Sequence, residues 1–215
     1  RMGTQIKKCT IISGAPDDDI DFLKENIDVQ SFIICADSGY KNCLKAGFTP
    51  NLIIGDFDSS EKPDIDCEII SLEIEKAYTD TFHCVMEAVD RGYNEVQIFC
   101  AIGSRLDHTY SNILSLDYCQ KHGVKCSIQN RNNRLSLIND KGIVNKEYDN
   151  FSLFAYLSNC KGVRIKGAYY TAGFYDKETL DINPNDQFAQ SNFVSEDYAE
   201  ISLDEGTLLL IESND

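Results

Sequence analysis

Residues 33–60 read IICADSGYKNCLKAGFTPNLIIGDFDSS, and their carboxylates fall directly after short apolar runs. Asp37 follows 33–36, and Asp56 and Asp58 follow 52–54. Runs this short and rich in β-branched residues suit central strands of a parallel sheet covered on both faces. The three aspartates then sit past strand carboxyl ends, where open α/β sheets bind ligands. In an extended turn Asp56 and Asp58 point the same way, and two hard oxygens can share one Mg²⁺. The same residues also serve as ordinary turn caps, since Asp and Ser favour turns for local reasons.

Two further places carry chemistry-bearing side chains. Asp80 falls in the first turn of a helix that Thr79 can cap, where the helix dipole favours a carboxylate with or without a ligand. The segment GSRLDHTYSN, residues 103–112, gathers Arg105, Asp107 and His108 between a buried strand and a helix start. There Arg105 can clamp phosphate oxygens beside the amides of a helix amino terminus. His108 can shuttle a proton from a hydroxyl if Asp107 orients it. Capping of the helix by Asp107 is the competing use of the same residues.

Several classes are excluded or disfavoured. There is no GxxxxGK[ST], no GxGxxG and no GxSxG, so Walker loops, dinucleotide fingerprints and serine hydrolase elbows lack support. With 35 acidic against 20 basic residues the net charge is −15, which repels nucleic acid and anionic membranes. A bound divalent cation reverses the local field, so a nucleotide stays compatible. No apolar stretch nears the roughly 20 residues that span a bilayer, and the start lacks a signal-peptide core, so a cytoplasmic location is expected. The nine cysteines are an odd count without a CxxC pair, which points to buried free thiols rather than zinc or disulfides.

The positioning elements follow from periodicity. Strands are expected at 9–12, 31–36, 52–54, 68–72, 95–101 and 125–129, alternating with helical stretches, which implies βαβ crossovers. One helix should run from Thr79 to Gly92 with Phe82, Val85, Met86 and Val89 inward. A second should run from His108 to about His122 with Tyr110, Ile113, Leu114 and Tyr118 inward. After the turn at 139–142 the texture becomes short alternating segments at 151–157, 162–166, 187–194 and 207–211. The fold class expected is a Rossmann-like, mainly parallel α/β domain over 1–138 and a smaller all-β sandwich or barrel over 139–215.

Taken in order, ADSG (36–39), PNLIIGDFDS (50–59), YTD (78–80), GSRLDH (103–108), SNF (191–193) and EGTLLLI (205–211) resemble the thiamine pyrophosphokinase family. The resemblance implies Mg²⁺-dependent transfer of a pyrophosphoryl group from ATP to the hydroxyl of thiamine, giving thiamine diphosphate and AMP. It further implies a homodimer whose amino-terminal domain binds ATP and metal and whose β domain helps form a thiamine pocket at the subunit interface. Carried over by position, Asp56, Asp58 and Asp80 are metal candidates. Asp37 and Arg105 would hold nucleotide phosphates, Asp107 would assist the hydroxyl, and Ser191 and Asn192 would line the thiamine side.

Three positions depart from the family pattern. Ala77 stands where the family's Asp-x-Thr-Asp has its first acid, Ala189-Gln190 replaces smaller residues before Ser191, and Ser38 replaces a common glycine. Two rivals stay in view: a metal-dependent phosphoesterase, since clustered aspartates with the Asp107-His108 pair would also activate water, and, from the missing acid, a non-catalytic thiamine or nucleotide sensor.

Overall fold

The computed structural model describes residues 3–16, 19–58 and 61–215. Ser59, part of the GDFDS motif, lies outside the described residues. The chain divides into two compact units, Arg1–Arg131 and Asn132–Asp215.

In the first unit the elements are β1 (Lys8–Ile12), α1 (Ile20–Asn26), β2 (Phe32–Ala36), α2 (Gly39–Lys45), β3 (Leu52–Gly55), β4 (Glu68–Ser71), α3 (Asp80–Asp90), β5 (Glu95–Phe99), α4 (Leu106–Lys121) and β6 (Lys125–Gln129). Its strands run in the order β4-β3-β2-β1-β5-β6, and every pairing is parallel. The apolar runs explain this. Ile11 sits beside Ile34 on one side and Ile98 on the other, and all three are fully buried. Each such side chain contributes about 1.5–3 kcal/mol relative to exposure. The order reverses at the β1/β5 pair, since β1 is followed in sequence by strands on one side and β5 begins the other. A reversal of this kind opens a crevice at the strand carboxyl ends.

Both long helices form where the periodicity placed them, yet each is rotated. The inward residues of α3 are Thr81, Cys84, Val85 and Ala88, and those of α4 are Asn112, Ser115, Leu116 and Cys119. Tyr110 and Leu114, expected inside, are 60% and 39% exposed. Small residues face inward in both helices, and the α4 contact is fixed by a hydrogen bond, Asn112 Nδ2 donating to Ala101 O at 2.9 Å. The larger rings go to the flanks, where Phe82 meets Tyr118 edge-on at 5.2 Å. Hydrophobicity alone ranks Tyr above Ser, and a buried polar group that finds its partner overrides that ranking.

The second unit contains β7 (Asn133–Ile138), β8 (Lys141–Val144), β9 (Asn150–Ala155), β10 (Cys160–Lys166), a 3₁₀ turn (Ala172–Tyr175), β11 (Leu180–Ile182), β12 (Ala199–Ser202) and β13 (Leu208–Ser213). β13 pairs antiparallel with β7 and β9, and β11-β10-β12-β8 form a separate antiparallel sheet. Side chains of both sheets share one apolar cluster that includes Leu153, Leu208 and Leu210 of the first and Val163, Ile182 and Ile201 of the second. The stretch 187–194, expected as a strand, is a loop with isolated bridges pairing Phe151 with Asn192 and Ala168 with Val194. Ser191 adopts φ 57°, which breaks an extended run. None of the nine cysteines forms a disulfide, and eight are buried.

Candidate functional site

β2 delivers Asp37 and β3 delivers Asp56 to the same end of the sheet, because the strands are parallel neighbours paired Ala36 to Ile54. Asp37 turns the chain in the left-handed region at φ 45°. Its amide donates to Ile54 O at 2.8 Å and its Oδ1 accepts from Phe57 N at 3.3 Å. Gly55 permits this approach, since a Cβ there would lie 2.9 Å from the Asp37 Cα. Phe57 is also left-handed, at φ 54°, and a left-handed residue other than glycine costs of order 1 kcal/mol. Asp56 Oδ1 in turn accepts from the Asp58 amide at 3.1 Å.

Asp80 arrives from a different direction. It opens α3, whose cap Thr79 accepts from Phe82 N at 3.1 Å through Oγ1. One carboxylate oxygen each of Asp37, Asp56 and Asp80 lies within 4.8 Å of the others. Among the described residues this is the one such grouping of possible metal ligands. Asp58, expected with them, is exposed and outside the group; Asp37, expected on the nucleotide side, is inside it. Three carboxylates from separate elements form a hard-oxygen donor set that fits a cation such as Mg²⁺.

Lys76 completes the cluster, and no motif had singled it out. Its Nζ donates to Asp56 Oδ2 and lies 3.1 Å from Asp80 Oδ1. These side chains are only 11% to 21% exposed. Although burial opposes its charge, the hydrogen bond to Asp56 and the negative charge of Asp80 beside it hold the Lys76 ammonium above its ordinary pKa. The Lys76 hydrogen bond holds Asp56 below the usual carboxylate range, whereas burial pushes Asp80 above it. Asp80 Oδ1 is buried and has no aligned donor, so the Lys76 contact there is charge proximity rather than a hydrogen bond, and an acceptor site stays open. The signal available in sequence was a lysine four residues before Asp80, the spacing of helical ion pairs.

The loop after β1 lies at the strand-order reversal. Ser13 N donates to Phe99 O at 2.9 Å and Ala15 N to Cys100 O at 3.0 Å, which ties the loop to the end of β5. The buried hydroxyls of Ser13 and Thr81 are 2.6 Å apart, and Asn42 Nδ2 donates to Ala15 O at 3.2 Å. Gly39 is required here because a Cβ would come 2.2 Å from Ile12 O. Sequence reading passed over Ser13, Asn42 and Thr81; the small-residue run Ser13-Gly14-Ala15 after the first strand was the available clue.

The segment 103–112 behaves differently. Arg105 Nη2 donates to Asp107 Oδ2 at 2.6 Å and Nε to Oδ1 at 3.2 Å, with side chains 69% and 63% exposed. That guanidinium holds Asp107 below the usual carboxylate range. His108 is exposed, and its amide, not its ring, donates to Asp107 Oδ1 at 2.9 Å. Asp107 is not among the grouped carboxylates.

In the second unit Ser191 is exposed, and its amide donates to Ser152 Oγ at 3.0 Å. Asn192 is buried and its side chain is committed: Nδ2 donates to Tyr170 O at 2.7 Å, and Oδ1 accepts from Tyr170 N at 3.0 Å and Phe193 N at 2.9 Å. Its effect is to fix a pair of exposed rings, Tyr169 and Phe193, which stack at 4.9 Å with 19° between planes.

The sequence pattern described as thiamin pyrophosphokinase, catalytic domain, matches residues 23–128, the stretch that contains Asp37, Asp56, Lys76 and Asp80. Over that stretch the chain is similar to the thiamin pyrophosphokinase family. Over 138 residues it is 29% identical to the thiamine pyrophosphokinase of Bacillus subtilis (strain 168), an alignment covering 61% of this chain and 64% of that protein. The match therefore spans less than two thirds of the curated relative. Solved structures extend the likeness in fold. The crystal structure of thiamine pyrophosphokinase from Bacillus subtilis superposes with TM-score 0.87 at 23% identity, covering 97% of this chain and 100% of that one. Thiamin pyrophosphokinase from Geobacillus thermodenitrificans gives 0.82 at 24% identity over 97% and 98%. The enzyme from Candida albicans gives 0.72 at 17% over 97% and 89%.

Proposed function

We propose that the chain is a thiamine diphosphokinase, transferring the pyrophosphoryl group of ATP to the hydroxyl of thiamine with release of AMP. The observation that carries this reading is the convergence of Asp37, Asp56 and Asp80 at the strand carboxyl ends within a segment matched to the family's catalytic domain. A metal ion bound there, Mg²⁺ in our reading, would neutralise phosphate charge. Transfer of this type depends mainly on positioning and charge stabilisation, so a strong base is not required.

In this proposal Asp37, Asp56 and Asp80 hold the metal, while Asp58 fixes Asp56 through its amide. Arg105 turns from Asp107 to a phosphate, which exposed side chains can do at little cost. Asp107, freed, accepts the alcohol proton late in transfer. The stacked Tyr169 and Phe193 offer an aromatic face to the positive thiazolium, held in place by Asn192 and flanked by Ser191. The first unit is read as the ATP and metal domain and the second as the thiamine domain. The working form is a homodimer with thiamine bound at the subunit interface. The acidic surface disfavours nucleic acid and membrane partners. Among the described residues no helix is long and apolar enough to cross a membrane.

Incubation with ATP, Mg²⁺ and thiamine tests the reading: AMP and thiamine diphosphate should appear in equal amounts. Inorganic phosphate released without thiamine would establish a hydrolase instead.

A further inference from the structure

The Lys76 ammonium stands where a bound cation would draw its ligands. It donates to Asp56 Oδ2 and lies 3.1 Å from Asp80 Oδ1, two of the three grouped carboxylates. We propose that Lys76 is a resident counter-ion that holds this cluster together without metal and must be displaced for a divalent cation to bind. The inference rests on the metal reading given above.

Three features of the chain support exchange rather than a permanent bridge. A carboxylate oxygen engaged by an ammonium cannot offer the same lone pair to a metal, and two cations on shared oxygens repel. Residues 72–79, which include Lys76, lie between β4 and α3 and belong to no helix or strand, so the four-carbon stem can leave without unravelling a regular element. Ala77, adjacent, contributes no further carboxylate, so the cluster has three acids to share between lysine and metal rather than four. Asp80 Oδ1 keeps an open acceptor site even with Lys76 present, so the ammonium satisfies the cluster incompletely.

Exchange has a functional consequence. Lysine lowers the affinity for free metal, while a metal arriving with a polyphosphate brings new partners for the displaced ammonium. The cluster would thereby favour the metal–nucleotide complex over the bare ion.

Titration calorimetry with Mn²⁺ alone, on nucleotide-free protein, tests this. Lys76→Met and Lys76→Gln should bind Mn²⁺ about tenfold or more tighter than the unaltered protein, the scale on which one neighbouring charge shifts an ionic equilibrium. Lys76→Arg, which keeps the charge, should stay weak. The metal-free melting temperature of Lys76→Met should fall and recover on Mn²⁺ addition by more than the parent gains. If Lys76→Met and Lys76→Gln bind Mn²⁺ no tighter, the lysine is a structural bridge and the exchange is refuted while the metal site stands. If Asp80→Asn in the Lys76→Met background leaves Mn²⁺ affinity unchanged, the ion is bound elsewhere and the metal reading itself falls.

Discussion

Asp80 and Asp107 both occupy the first turn of a long helix in the same unit, and they could hardly be placed more differently. Burial raises Asp80, which faces carboxylates from two strand ends and one lysine. Asp107 is exposed and held low by its neighbour Arg105. The first site is assembled by tertiary structure from separate elements. The second is local, made of residues two apart, and can reorganise. In the proposed reading, a pre-assembled carboxylate cluster and an exposed arginine suit a reaction in which metal placement is fixed and the phosphate clamp closes afterwards.

The sharpest way to break that contrast is Asp56→Asn. It should lower kcat/KM for thiamine diphosphate formation by about a thousandfold, equivalent to ~4 kcal/mol of transition-state stabilisation. The melting temperature should move by only a few degrees, because the side chain lies at a strand end rather than in the core. Unfolding with metal dependence intact would show the cluster to be structural.

Next in size, Leu116→Ala should destabilise the protein by about 2–5 kcal/mol in denaturant titration, whereas Tyr110→Ala should stay within about 0.5 kcal/mol. Equal effects would mean that α4 does not present the inward face described. Asp107→Asn should cost about a hundredfold in kcat, the low end for a group that assists proton transfer. A loss matching that of Asp56→Asn would erase the distinction between the two regions.

The smallest effect is in pH. Carboxyl-carbon NMR of the metal-free protein should show Asp80 titrating above the ordinary value of about 3.9 and Asp107 below it. For Asp107, with its folded pKa depressed, the stabilising contribution is present above the unfolded value and is lost as pH falls through the folded one. For Asp80 the sign reverses: its contribution is present in acid and is lost as pH rises through the raised folded pKa. Observing both on the same side would contradict the placement of one of them.

Much of this was legible from sequence because it depends on local rules. The six parallel strands follow from apolar runs of four or five residues, and Thr79 caps α3 as the spacing required. Asp37, Asp56 and Asp80 were each legible as candidates at element ends. Their grouping was not, since which three of several aspartates converge depends on strand order and on the left-handed turn at Asp37. Lys76 escaped notice because a lysine between strand and helix is ordinary until its partners are known. The helix faces were misjudged for the opposite reason: Ser115 and Asn112 look exposed by type, and only their packing shows why they are buried.

Eight thiols sealed inside the fold carry a practical consequence for handling. While folded, the protein should resist air oxidation, because burial keeps these sulfurs out of reach of oxidants. Once heated past its transition the same chain presents a crowd of reactive groups to its neighbours, so cooling in air should yield cross-linked aggregate, and cooling with a reductant should return native protein.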